Sequence, residues 1–217
     1  MGKGDMKKSI THLFPGGMKN YRCLHLFFIT WCTIFLPTFL YGAEVLFPTY
    51  GTGSRELIVF TDYFCPPCMK IEVEFLPAVR KALSTNNWKV TFVDIPGHRE
   101  TSLFAKYFIY AVQKGKGYEN ALRAREVLFN LSRKGGVVTE KDLEAAFRKE
   151  GIKFAPVDPW PVYKEWNRLI EAHKISGTPM CVLVEGREKK TVFDGSVEIR
   201  NRLLPLMNEG VGGKKEK

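Results

Sequence analysis

The stretch Glu56-Leu57-Ile58-Val59-Phe60-Thr61-Asp62-Tyr63-Phe64-Cys65-Pro66-Pro67-Cys68-Met69-Lys70-Ile71 decides how this chain is read. Its first six residues form a short, nearly continuous apolar run, the pattern of a strand buried on both faces. After Cys68, the residues Ile71, Phe75 and Val79 recur four apart, which is one side of an α-helix. Pro77 inside that helix removes a backbone donor and is expected to kink it. Cys65 therefore falls at a helix N-terminus, where unpaired N–H groups and the macrodipole favour an anion and hence the nucleophilic thiolate. Cys68, one turn inside, is placed to attack a mixed disulfide formed at Cys65. Pro66 and Pro67 fit a first turn, whose N–H groups lack intrahelical acceptors. They also tune the motif, because they offer the sulfur neither an N–H nor an imidazole charge.

Outward from this centre, Trp88-Lys89-Val90-Thr91-Phe92-Val93-Asp94 alternates with period two and reads as a second strand. Strand, helix and strand make a βαβ unit, which implies a parallel pair and a right-handed crossover. From residue 99 to 174 the period is helical. Four segments are expected, 100–114, 118–134, 139–150 and 159–173, with Thr139 and Asp142 resembling an N-cap and its first-turn acid. Met180–Val184 and Thr191–Asp194 then form an antiparallel hairpin around Glu185–Glu188, and Val197–Met207 closes the chain as a helix broken near Pro205. The fold class is α/β: a split domain over 44–98 and 175–212, interrupted by an all-helical insertion over 99–174. Residues 213–217 read as a solvated tail.

The 217 residues carry a net charge of +10, from 33 Lys and Arg against 23 Asp and Glu. Residues 1–43 hold five of the bases and one of the acids, so the remainder carries 28 minus 22, or +6. No basic cluster is interleaved with aromatics, and a nucleic-acid partner is not expected. Leu26–Leu40 is apolar, preceded by Lys19 and Arg22 and followed by Tyr41-Gly42-Ala43. A positive flank, a short apolar core and small residues describe a secretory signal. The run is shorter than the roughly 20 residues of a bilayer span. Residues 1–43 are thus expected to be a signal peptide, or to anchor the chain through 24–40, with the rest periplasmic or otherwise outside the cytoplasm.

Export would leave Cys65, Cys68 and Cys181. Cysteines two residues apart close too small a loop to act as a staple, so the spacing points to redox chemistry. A zinc site would need two more ligands, and Cys181, His98 and His173 are not paired at ligand spacing. Haem attachment needs a His where this chain has Met69. Neither a metal nor another cofactor is expected. Cys181 reads as a small buried hydrophobe, Asp62 as a turn residue, and His98 and His173 as loop or surface residues. Tyr63 and Phe64 either rim the motif or pack on the insertion.

Far along the chain, Ile175-Ser176-Gly177-Thr178-Pro179 stands immediately before a strand. With Phe60–Cys68 and the long helical insertion, this pattern resembles the thioredoxin superfamily, and within it the DsbA-like thiol–disulfide oxidoreductases, over about residues 55–208. The resemblance implies that Cys65 and Cys68 are the nucleophilic and resolving thiols. It implies that Thr178 and a cis Pro179 flank them, with the Thr178 backbone pairing an extended substrate peptide. It also implies dithiol–disulfide exchange with exported protein substrates, a membrane redox partner and a monomer; isomerase activity is not expected, since residues 44–56 before the first strand leave no room for an N-terminal dimerisation domain. The motif departs from the family pattern in two places: Val59 stands where the family often has a buried acid, and Pro67 where its oxidase branch has His. A non-catalytic peptide-binding or chaperone-like module is the alternative from another functional class.

Overall fold

The computed structural model describes residues 46–186 and 189–209. The apolar segment 24–40, the rest of 1–43 and the tail 213–217 lie outside the described residues. Five strands form one mixed sheet: β1 (Thr49–Tyr50), β2 (Arg55–Thr61), β3 (Trp88–Asp94), β4 (Met180–Glu185) and β5 (Lys189–Asp194), in the order β1-β3-β2-β4-β5. β2 and β3 run parallel, with Thr61 opposite Asp94 at their C-terminal ends. β4 is antiparallel to β2 and to β5, and β1 is antiparallel to β3. β1 lies in the lead before the first expected strand and carries no period of its own. Its two residues join the sheet edge, where the Thr49 and Thr91 hydroxyls meet at 2.8 Å. The apolar run in β2 has the predicted cause: Leu57 to Phe60 are all buried, because β2 sits at the centre of the sheet with helices covering it.

α1 (Pro66–Ser84) connects β2 to β3. Its buried residues Cys68, Ile71, Glu72, Phe75, Leu76, Val79, Ala82 and Leu83 fall in one i, i+3, i+4 stripe against the sheet. Full burial of side chains such as Phe75 and Val79 stabilises by about 1.5–3 kcal/mol each. That sum offsets the roughly 3 kcal/mol that a proline costs inside a helix. α1 accordingly runs on through Pro77, whose ring faces solvent.

The helices α2 (Thr101–Lys114), α3 (Tyr118–Lys134), α4 (Glu140–Lys149) and α5 (Trp160–Ala172) follow. Thr139 caps α4: its hydroxyl accepts the Asp142 N–H, and the Asp142 carboxylate accepts the Thr139 N–H at 2.8 Å. α5 is tied to the sheet by Trp166, whose indole N–H donates to the Phe92 carbonyl at 2.9 Å. The closing segment is α6 (Gly195–Glu198), a π-helical stretch (Ile199–Leu203) and α7 (Leu204–Glu209). The break precedes Pro205 because that residue has no N–H to continue the ladder, and the Leu204 N–H reaches back five residues to Ile199. Among the described residues, no helix is long and apolar enough to cross a membrane.

Candidate active site

The end of β2 delivers Thr61 and Asp62 to a turn that reverses into α1, and Cys65 is the N-cap of that helix. The Cys65 N–H donates to the Asp62 carbonyl at 3.2 Å, and the Met69 N–H to the Cys65 carbonyl at 3.0 Å. Pro66 and Pro67 occupy the first turn and are exposed. Cys65 is 7% exposed and Cys68 0%, so the first thiol sits just under the surface, while the second is turned into the sheet by the buried stripe. Both are unbonded thiols. Burial pushes the Cys68 thiol far above its ordinary range, and the neighbouring Cys65 raises it further. Burial likewise pushes Cys181 up, with the negative charge of Glu72 adding to it. Cys181 is wholly buried opposite Val59, consistent with a small core side chain.

Residues 178 and 179 reach the same place from the other end of the chain. The Thr178–Pro179 peptide bond is cis. The Cys65 thiol donates to the Thr178 carbonyl at 3.3 Å. Pro179 leads directly into β4, which pairs with β2 and so fixes the two segments in register. The structure therefore brings Cys65, Cys68, Pro66, Pro67, Thr178 and Pro179 together across a separation of 113 positions between Cys65 and Thr178.

Two buried polar groups beneath the motif escaped the sequence reading. Asp62 opens the turn as expected, its carbonyl accepting the Cys65 N–H, but its side chain is buried, at 1% exposure. Its Oδ1 accepts the Phe64 N–H at 2.8 Å and the Thr101 hydroxyl at 2.5 Å, and its Oδ2 accepts the His98 N–H at 3.0 Å. The His98 ring Nδ1 lies 2.7 Å from that same oxygen. One carboxylate thus clamps the reactive-loop backbone to the start of the insertion. Gly97 permits the approach, since a Cβ there would come 2.9 Å from Asp62 Oδ2.

Arg125 of α3 is the second buried group. Its Nε donates to Glu72 Oε1 at 3.1 Å, its Nη1 to Asp94 Oδ1 at 3.0 Å and its Nη2 to the Thr61 hydroxyl at 2.9 Å. Tyr63 completes the set by donating to Asp94 Oδ2 at 2.9 Å. The guanidinium lies 4.5 Å from the centre of the Phe92 ring and 5.4 Å from those of Phe108 and Phe129. Burial works against the Arg125 charge, but Glu72, Tyr63 and Asp94 outweigh it and hold it protonated. Burial raises the Glu72 and Asp94 carboxyls above their ordinary range, against the pull of Arg125. Helix periodicity carried a signal for this network. Glu72 falls on the α1 stripe between Ile71 and Phe75, and Arg125 on the α3 stripe between Leu122 and Leu128. Tyr63 and Phe64 turn out to pack on the insertion, with the Phe104 ring 5.7 and 4.8 Å away respectively.

No family model matches the chain, and no curated protein matches it in sequence. Solved structures do. A periplasmic thioredoxin-like protein from Salmonella enterica serovar Typhimurium superposes with TM-score 0.54 at 19% identity, over 76% of this chain and 89% of that one. Proteus mirabilis ScsC in a compact conformation gives 0.55 at 18%, over 80% and 76%. A variant of Wolbachia pipientis alpha-DsbA1 gives 0.54 at 12%, over 76% and 92%. The fold is thioredoxin-like. Identities this low speak to the fold, so the roles of residues in this chain rest on its own geometry.

Proposed function

We propose that this chain is a thiol–disulfide oxidoreductase that exchanges disulfides with exported protein substrates through Cys65 and Cys68. One observation carries the reading: a near-surface thiol at a helix N-cap, a wholly buried thiol one turn behind it, and the Thr178 carbonyl 3.3 Å from the first sulfur. That arrangement separates the tasks. Cys65 meets a substrate sulfur, and the Thr178 backbone beside Pro179 aligns an extended peptide. The mixed disulfide then lies within reach of Cys68, whose attack forms the Cys65–Cys68 bond and releases the substrate thiol. Each turnover leaves the pair in the opposite state, so a second redox partner must reset it, and a membrane-held one fits an exported chain. Export itself rests on the segment 24–40, acting as signal or anchor. A likeness to a protein described as periplasmic is in keeping with it.

The test is equilibration of the purified protein with mixtures of reduced and oxidised glutathione. The reading expects one two-electron transition confined to Cys65 and Cys68, with a potential that sets the direction of exchange. Failure to form a Cys65–Cys68 disulfide under oxidising glutathione would overturn it.

A further inference from the structure

Asp62 is a buried carboxylate set in the reactive loop itself. Its carbonyl accepts the Cys65 N–H at 3.2 Å, while its Oδ1 accepts the Phe64 N–H at 2.8 Å. The side chain is thus fixed beside the stretch that carries the nucleophilic sulfur, where a negative charge opposes formation of the thiolate. The sulfur has few groups in its favour. Pro66 and Pro67 offer it no N–H, and the Thr178 carbonyl accepts a hydrogen bond from its protonated form.

A buried carboxylate is costly without a partner of opposite charge. Arg125 of α3 is committed elsewhere, to Glu72, Asp94 and Thr61. Asp94 of β3 only adds negative charge, and the charge of Asp62 joins burial in raising the Asp94 carboxyl. Lys70 on α1 is exposed, as are Arg99 and Glu100, which follow His98 with opposite charges. Among the described residues, only His98 comes within ion-pair distance of Asp62, with its Nδ1 2.7 Å from Oδ2. The His98 N–H on the same oxygen and the Thr101 hydroxyl on Oδ1 hold this loop in place whatever the charge of the ring. The His98 side chain is 48% exposed, so the ring can trade a proton with water without leaving Asp62.

We propose that His98 is a positioning residue for the exchange at Cys65: held on Asp62, its imidazolium offsets the buried carboxylate, so that a proton on His98 and the thiolate of Cys65 stabilise each other. The Cys65 S–H bond breaks and its proton leaves to water, while His98 keeps its own. When His98 loses that proton as pH rises, the Asp62 carboxylate stands uncompensated and the thiolate loses this support. A unit charge gained or lost about 10 Å from a partly buried group, at an effective dielectric constant of about 20, changes that group's proton affinity by about tenfold. By linkage the effect is reciprocal, and the Cys65 thiolate strengthens the hold of His98 on its proton.

The inference rests on the dithiol reading of Cys65 and Cys68, and two readouts keep them apart. The first is the rate at which iodoacetamide labels Cys65 in the reduced protein, followed by mass spectrometry across pH. His98→Asn keeps a donor for Asp62 and loses the charge, whereas His98→Lys keeps a charge and loses the ring. Below about pH 6, where an imidazole is ordinarily protonated, His98→Asn should be labelled about tenfold more slowly than wild type. His98→Lys should stay close to the wild-type rate there. Toward about pH 10 the three should converge, because the thiolate is then complete in each. A wild-type profile in His98→Asn, or a His98→Lys as slow as His98→Asn, overturns the inference, since His98 then serves only as a hydrogen-bond donor. The second readout is formation of the Cys65–Cys68 disulfide under oxidised glutathione. Its failure in wild type overturns the dithiol reading, and its success leaves that reading intact whatever His98 does. Should the variants fail to fold, NMR of the His98 ring in the wild-type protein answers. Its titration midpoint should fall once Cys65 is alkylated and can no longer ionise, and equal midpoints refute the coupling.

Discussion

Replacing Arg125 with Met keeps most of the side chain's length among Phe92, Phe108 and Phe129 and removes its charge. The guanidinium makes two hydrogen bonds to carboxylates, to Glu72 and Asp94. At about 1.5–3 kcal/mol for each bond to a charged partner, their loss comes to about 3–6 kcal/mol. This overlaps the roughly 3–5 kcal/mol typical of breaking a buried pair from one side. The pH dependence is the sharper signature. A carboxyl whose folded-state pKa exceeds its unfolded one stabilises the fold below the unfolded value, and that contribution is lost as pH rises through the folded value. Burial raises both Glu72 and Asp94, and Arg125 limits the rise. Without Arg125 the rise grows. Each carboxyl that stays protonated only in the folded chain steepens the loss by about 1.4 kcal/mol per pH unit. Urea unfolding of the reduced protein across pH should show Arg125→Met close to wild type below about pH 3, where carboxyls are protonated in both states. The gap should widen steadily toward neutrality. A gap of the same size at acid and neutral pH would refute the reasoning, since the loss would then be one of packing alone.

Other outcomes follow from the same geometry. Asp62→Ala leaves the Phe64 and His98 N–H groups and the Thr101 hydroxyl without their acceptor. It should cost about 1–3 kcal/mol for each donor that stays buried, read as a fall in Tm of about 2–4 °C per kcal/mol. Pro67→His places an imidazole at an exposed first-turn position beside the motif and should stabilise the reduced form. Glutathione equilibration should find the disulfide more oxidising by tens of millivolts, since about 1.4 kcal/mol corresponds to 30 mV. Alkylation of the reduced protein near neutral pH should label Cys65 well before Cys68 and Cys181, as their exposures of 7%, 0% and 1% imply.

The elements were legible where a single period governs them. The buried run Leu57–Phe60, the alternation of Trp88–Asp94 and the i, i+4 spacing of Ile71, Phe75 and Val79 each announce their secondary structure. The order of these elements gives the split sheet with its helical insertion. The Cys65–Cys68 pair was legible because two cysteines so close together, between a strand and a helix, have few uses besides redox chemistry. Asp62, Glu72 and Arg125 were harder to read: the helical stripes put Glu72 and Arg125 on buried faces, but by type each looks like an ordinary surface residue. Only the folded chain shows that Arg125, brought in from the insertion, neutralises carboxyls on α1 and β3. β1 was missed for a related reason, since two residues at a sheet edge are held by β3 and not by any pattern of their own.

The central claim is that Cys65 and Cys68 divide one exchange reaction between them. Its most direct measurement is turnover of a peptide dithiol in a glutathione buffer, with mass spectrometry of the protein during the reaction. Wild type should catalyse the exchange, and Cys65→Ser should abolish it. Cys68→Ser should accumulate a mixed disulfide with the peptide at Cys65. Full turnover in the Cys65→Ser, Cys68→Ser double variant would contradict the account, and peptide binding without turnover in both wild type and double variant would favour a non-catalytic peptide-binding module.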